Sequence, residues 1–367
     1  MNPIITRQPK HEEGDRDEEE EEDDPNDEHD VDRIFRKLKS RPAHLQYPDL
    51  IARCRPIVQL WNDSYATSLP KFWKRTRRNL PKELNESVFI LEEMIHLVEN
   101  YEKEEPLTIL DMCSGIGYLS MFLSHLLPTE KVSRIVPIDI LFRSHEDKGH
   151  KEDDEEDRKH LSTIHLRSSI HPIEIRPRRA NIKSGRELRQ IAHYCIEQAP
   201  EPVIILGVHL CKALSVHTVR LFNTSSKASR LYLKPCCLPG RKDVKRRDPP
   251  FWTFEHMEGG GFGLQTLYCS RVSDESKKEN EDDDLNLAKA KKDARLLKVT
   301  EGGGEEEADG KNHSGVEGKR GTALFTKWVH LLCDAADTGI EGTKVEIHHS
   351  SVQKHHFQNQ YVVASRC

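Results

Sequence analysis

Between Ser87 and Tyr101 the apolar residues Ile90, Leu91, Met94, Ile95, Leu97 and Val98 recur at helical spacing, which predicts a helix with one buried face. The apolar run Leu107 to Asp111 comes next and reads as a strand. A turn containing Gly115 and Gly117 separates it from an amphipathic stretch, Tyr118 to Leu127, with Pro128 beyond as a stop. The alternation continues with an apolar run Arg134 to Ile140, a strand near Ile173 to Arg176, a helix near Gly185 to Glu197 and the strand Pro202 to Val208. A helix from about Ser215 to Phe222 then leads to the strand Leu231 to Lys234. Strands that alternate with helices are joined by crossovers, and crossovers imply a parallel sheet. The end of the chain differs: a helix over Ala323 to Ala335 precedes two short strands, Lys344 to His349 and Gln360 to Ser365, whose short spacing makes them antiparallel neighbours. Ahead of all these elements, apolar positions from Ile34 to Trp61 suggest short helices before Pro70.

Three segments do not fit a packed fold. Residues 1–32 are an acidic tail too poor in apolar area to offset chain entropy and are expected to be disordered, residues 146–157 form an acidic loop, and residues 273–320 are a Lys, Glu, Asp and Gly insertion read as a mobile linker. The chain therefore divides into the tail, a helical extension over 33–83, and a domain over 84–367 that the loop and the insertion interrupt. With 35% hydrophobic and 32% charged residues among 367, the composition supports one core with solvated appendages. No apolar run reaches the roughly 18 residues of a spanning helix. The first 22 residues lack the apolar stretch of a secretory signal, so the cytoplasm is the expected compartment. Nine scattered cysteines without a C-x-x-C pair argue against a disulfide framework, a disulfide-linked partner and a Cys-rich zinc module. No metal is expected; the pairs His348-His349 and His355-His356 have no carboxylate or Cys at ligand spacing.

The formal net charge of -6 hides an asymmetry. The acidic stretches 1–32, 146–157 and 274–309 hold 36 acidic and 12 basic residues, which leaves an excess of 18 positive charges on the remainder. Basic clusters stand at Lys71, Lys74, Arg75, Arg77, Arg78 and at Arg241, Lys242, Lys245, Arg246, Arg247. Such a surface suits a polyanion, because each neutralised phosphate releases counterions, and Phe72 and Trp73 offer stacking surfaces for RNA. Ordinary solvated faces balanced by the acidic tails would give the same pattern.

The segment Asp111-Met112-Cys113-Ser114-Gly115-Ile116-Gly117 sits where a strand hands over to a helix. There Gly115 and Gly117 let the backbone approach a ligand, and the helix N-terminus favours an anionic group. A dinucleotide fingerprint needs a third glycine, where this chain has Ser120. The pattern D-x-x-x-G-x-G instead resembles motif I of S-adenosylmethionine-dependent methyltransferases, with Cys113 in place of the usual first glycine. Asp139 ends the second strand, where its carboxylate would accept from ribose hydroxyls or cap a helix, and Asn181 follows the third, where its amide would hold the adenine edge or serve a turn.

Strand four ends in His209-Leu210-Cys211 and strand five in Pro235-Cys236-Cys237. In an open α/β sheet, ligands bind beyond these carboxyl ends. Together with the glycine turn, these motifs resemble the methyltransferase-domain family that includes glutathione S-transferase C-terminal domain-containing protein and some methyltransferase-like proteins, and more distantly tRNA ribose methyltransferases. The likeness spans about Leu84 to Gly240 and Thr322 to Cys367; where the family commonly has Gly after H-L-C, this chain has Lys212. It implies a Rossmann-like class I methyltransferase fold, α/β, with a seven-stranded, mostly parallel sheet ending in an antiparallel hairpin and with S-adenosylmethionine as cofactor. Asp111, Cys113, Ser114, Gly115, Gly117, Asp139 and Asn181 are then the cofactor-binding set, and Cys211, Pro235, Cys236 and Cys237 line the substrate side. His209 is the natural general base, or else a hydrogen-bonded structural group. The paired cysteines are nucleophiles or small apolar fillers. RNA is the leading acceptor, with a protein, a small molecule, or a non-catalytic binding role as alternatives.

Overall fold

The computed structural model describes residues 30–143, 161–199, 202–239, 314–338, 342–350 and 359–366. The acidic loop 146–157, most of the insertion 273–320, the basic cluster Arg241–Arg247 and His355-His356 lie outside the described residues.

Four helices come first: α1 (Asp30–Lys39), α2 (Pro42–Gln46), α3 (Pro48–Tyr65) and α4 (Pro70–Glu99). A proline at N1 or N2 opens each of the last three, where its fixed φ is pre-organised and its missing N–H costs nothing. Helix α4 is far longer than the predicted stretch. Trp73, Leu80, Leu84, Val88, Leu91, Ile95 and Val98 recur every three to seven residues on one buried face, and the helix continues through Pro81. It also runs unbroken across positions 83 and 84, so the extension and the domain share an element. The tail is shorter than predicted, because Asp30 and Asp32 already belong to α1: Asp30 accepts from Trp73 Nε1–H (2.9 Å) and pairs with Arg77 (2.6 Å), and Asp32 pairs with Arg55.

The sheet elements are β1 (Leu107–Met112), β2 (Val132–Asp139), β3 (Glu174–Ile175), β4 (Arg178–Arg179), β5 (Val203–Cys211), β6 (Ala228–Cys237), β7 (Thr343–His349) and β8 (Gln360–Arg366). They form one sheet in the order β3-β2-β1-β5-β6-β8-β7, with β4 also beside β2. The predicted third strand is thus broken into β3 and β4, both parallel to β2. Pairing is parallel from β3 to β6 and antiparallel for β8 against β6 and β7, the predicted closing hairpin. Every residue of β1 is buried, as the centre of a sheet covered on both faces demands.

Helices α1 to α4 and α5 (Tyr118–Leu126) share one core with Ile109, Ile135 and Leu206. On the opposite face, α6 (Gly185–Ile191), α7 (Leu214–Thr224) and α8 (Ser314–Ala336) pack with Leu110, Ile205 and Leu231. Residues 314–320, predicted as linker, begin α8, and the single helix predicted from Gly185 passes at Ala192 into a π-helical turn ending at Glu197. No helix among the described residues is long and apolar enough to cross a membrane.

Candidate functional site

The order reverses between β1 and β5: from β1 the chain moves outward through β2 to β3, and from β5 outward through β6. Such a switch point opens a crevice beyond the carboxyl ends of the two strands. A cleft of about 490 Å³ lies there, lined by the glycine turn (Asp111, Ser114, Gly115), by His209 of β5, and by Arg75 and Glu86 of α4.

The turn is wound tightly. Cys113, Gly115 and Gly117 have φ of 56°, 57° and 91°, so three of five residues are left-handed. An added Cβ would touch nothing within 4 Å at Gly115, whereas at Gly117 it would sit 2.8 Å from Leu166 Cδ2. Gly115 is therefore open toward the cleft and Gly117 is closed by packing. Asp139 holds the turn from below, its Oδ2 accepting from Gly115 N–H (2.9 Å) and its Oδ1 from Leu141 N–H (2.8 Å). His165 Nε2 meets Ile116 O at 2.8 Å; burial holds this imidazole down at about 4, so near neutrality it is uncharged and donates from Nε2.

Asp111 is buried and its Oδ2 accepts from Ser120 Oγ–H (2.8 Å). Burial, with the nearby Asp139 adding to it, pushes its pKa up to about 7. Ser120, where a dinucleotide binder has its third glycine, is thus the hydroxyl that satisfies the strand-end carboxyl. Ser114 Oγ is buried and has no hydrogen-bond partner among the described residues, although Ser114 lines the cleft. A buried polar atom left unmatched beside an open cleft fits a polar ligand at this turn.

His209 has φ 62° within β5, at a point where the pairing to β6 shifts register. Its Nε2 lies 2.9 Å from Glu86 Oε2, reaching from the sheet to α4. Burial works to raise the Glu86 carboxyl, but the hydrogen bond and charge of His209, with Lys82 and Lys234, outweigh it and hold the group below its ordinary value. The Glu86 carbonyl accepts from Lys234 Nζ (3.3 Å) and Tyr361 Oη (3.4 Å). Nothing in the linear pattern marks Glu86 or His165, because their roles arise from α4 and the 165–167 turn folding over the strand ends.

The other predicted residues are distributed differently. Asn181 is off the cleft lining; its Oδ1 accepts from Lys183 N–H (3.0 Å) in a local turn. Beyond His209, the sulfurs of Cys211, Cys236 and Cys237 lie within 4.8 Å of one another, and Pro235 precedes the last two on β6. Of the aromatic pair in the basic cluster, Trp73 is buried and offers no stacking surface, and half-buried Phe72 stacks on His165 (4.2 Å, 22°). Lys71, Lys74, Arg75 and Arg78 of that cluster are exposed.

Residues 82–241 match the model of a family described as a methyltransferase domain. No curated protein matches the chain. Solved structures similar to it include the 23S rRNA methyltransferase ErmE, at 14% identity over 45% of this chain and 52% of that one (TM-score 0.24). Two others are the magnesium protoporphyrin IX methyltransferase ChlM from Synechocystis PCC 6803 with bound SAH, at 12% over 84% and 99% (0.31), and the plantazolicin methyltransferase BpumL with SAH, at 12% over 92% and 98% (0.32). The chain thus spans about half the length of ErmE. The family match falls on the glycine turn and on both strand ends.

Proposed function

We propose that the protein transfers a methyl group from S-adenosylmethionine to RNA, in the cleft between the glycine turn and α4. One observation carries the reading: the cleft that Ser114 and Gly115 open also has Arg75 on its wall, on a helix whose exposed face presents Lys71, Lys74 and Arg78. A polyanion held along that face by phosphate contacts would lead directly to the cleft. The H-L-C and P-C-C strand ends would further place the protein in the group containing glutathione S-transferase C-terminal domain-containing protein.

When bound, S-adenosylmethionine supplies an electrophilic methyl group for in-line displacement. The residues of the chain have other tasks. Ser114 and the glycine turn would hold the donor, with Asp139 fixing the turn through the Gly115 N–H. His209 would take the proton of the acceptor group, and Glu86, 2.9 Å from its Nε2, would be the positioning residue that orients the imidazole. Asn181 would reach the adenine edge after release of its turn contact to Lys183.

Calorimetric titration of S-adenosylmethionine and SAH, followed by transfer of labelled methyl to RNA, tests this directly. Binding is expected to be lost on Asp111→Ala and Asp139→Ala, and transfer to be lost on His209→Asn with cofactor binding kept. Reversing Lys71, Lys74, Arg75 and Arg78 should weaken RNA binding and flatten its salt dependence by roughly 0.7 log units per lost phosphate contact on a single strand. Arg77 is excluded from that set because it pairs with Asp30. Salt-independent RNA binding, or turnover on a protein or small molecule without RNA, would remove RNA from the reading and leave the methyltransferase.

A further inference from the structure

Three thiols converge where β5 and β6 end. Cys236 Sγ lies 2.8 Å from Cys211 Sγ and 3.7 Å from Cys237 Sγ, and none of the three is in a disulfide. The backbone builds this convergence. Pairing of β5 with β6 shifts register on both sides of Leu210, and the residues flanking the Leu210-Cys211 step, His209 and Lys212, hold φ of 62° and 55°. Two non-glycine residues in the left-handed region persist only where their surroundings over-determine them, and such strain collects at functional sites. Lys212 N–H donates to Cys237 O (3.2 Å) and Cys236 Sγ–H to His209 O (3.4 Å), so the two strand ends are tied together around the sulfurs.

We infer that Cys211, Cys236 and Cys237 bind a single zinc ion, with the fourth coordination position left open. Sulfur is a soft donor that selects zinc over hard cations. Tetrahedral zinc with Zn–S bonds of about 2.3 Å separates its sulfurs by about 3.8 Å. The Cys236–Cys237 spacing already meets that value, and Cys211, exposed at the strand end, needs to withdraw by about 1 Å. A disulfide would employ two of the sulfurs at about 2.05 Å and leave the third without a role. On binding, each thiol gives its proton to solvent and its sulfur lone pair to the metal, with no change of oxidation state. Three protein ligands with one position free is the form of zinc sites that hold a water or substrate. Through the His209 carbonyl the site adjoins the cleft, but its existence does not depend on methyl transfer.

The test uses the full chain, kept reduced, stripped with chelator and titrated with Co(II) as a spectroscopic probe, then with Zn(II). One equivalent of metal should survive desalting, and cobalt should show a thiolate charge-transfer band that zinc abolishes. Cys236→Ser should lose on the order of 100-fold in zinc affinity, and Cys333→Ser, outside the cluster, nothing. The wild-type cobalt spectrum is a separate reading that does not depend on the folding of Cys236→Ser. A wild type without the thiolate band, equal affinity in a folded Cys236→Ser variant, or a Cys211–Cys236 disulfide in the metal-treated protein overturns the site; the last outcome would make it a redox pair.

Discussion

At the scale of a single residue, Asp111 shows what the sequence conveys and what it leaves to the fold. A strand-end aspartate before a glycine turn is legible as a site residue from the motif alone. Its charge is not, since that is set by burial under α5 and by the nearby Asp139. The unfolded chain releases this proton near 3.8, while the folded protein keeps it until about 7. Between those values the native state binds more protons, so stability falls as pH rises through the window and levels off above it. Asp111→Asn, which can still accept from Ser120, should flatten that decline and be the more stable protein at pH 8, by an amount on the order of 4 kcal/mol. Thermal unfolding from pH 4 to pH 8 checks it; a variant no more stable than wild type at pH 8 would mean that burial does not raise the Asp111 carboxyl above its unfolded value. Asn181 is the opposite case. Its amide suits an adenine edge and a turn equally well, and in the fold its Oδ1 accepts from Lys183 N–H.

The glycine turn is an element in which two similar residues have separate tasks. Both Gly115 and Gly117 are left-handed, so alanine at either costs about 1 kcal/mol through the backbone. At Gly117 the new methyl also meets Leu166 at 2.8 Å, and displacing that packed side chain adds about 1–3 kcal/mol. At Gly115 the methyl meets nothing in the protein and projects beside the cleft. Gly117→Ala should therefore show the larger fall in unfolding midpoint, and Gly115→Ala the larger loss of S-adenosylmethionine affinity. Unfolding and calorimetry on the two variants give the order, and a reversed order would separate the turn from the ligand. Periodicity located nearly every strand and helix here because buried parallel strands and amphipathic helices carry their burial in local pattern. It missed the three-sulfur cluster for the same reason. Cys211 meets Cys236 only because β5 and β6 are neighbours, a relation that no linear spacing of cysteines encodes.

At the scale of the whole molecule, the division at residues 83 and 84 meets a physical obstacle. Composition separates a helical extension from the domain, yet α4 passes through that point and its buried face continues from Trp73 to Val98. Helices α1 and α3 share the same core as the sheet: Trp61 of α3 packs on Phe122 of α5 with ring centroids 4.6 Å apart, and Tyr65 Oη–H donates to His165 O at 2.9 Å. A chain starting at Leu84 would expose Leu91, Met94, Val98 and Phe122 and would lose the fully buried Trp61 and Leu80. Each large apolar side chain moved into water costs about 1.5–3 kcal/mol, and a domain has only about 5–15 kcal/mol in hand. Residues 84–367 alone should therefore show no cooperative unfolding transition. Residues 30–367, which keep the Asp30 contacts to Trp73 and Arg77, should unfold as the full chain does. Differential scanning calorimetry of the two truncations decides the point. A cooperative, S-adenosylmethionine-binding 84–367 fragment would make the helices an appendage, and with them the basic face of α4 ahead of Leu84 would cease to be part of the site.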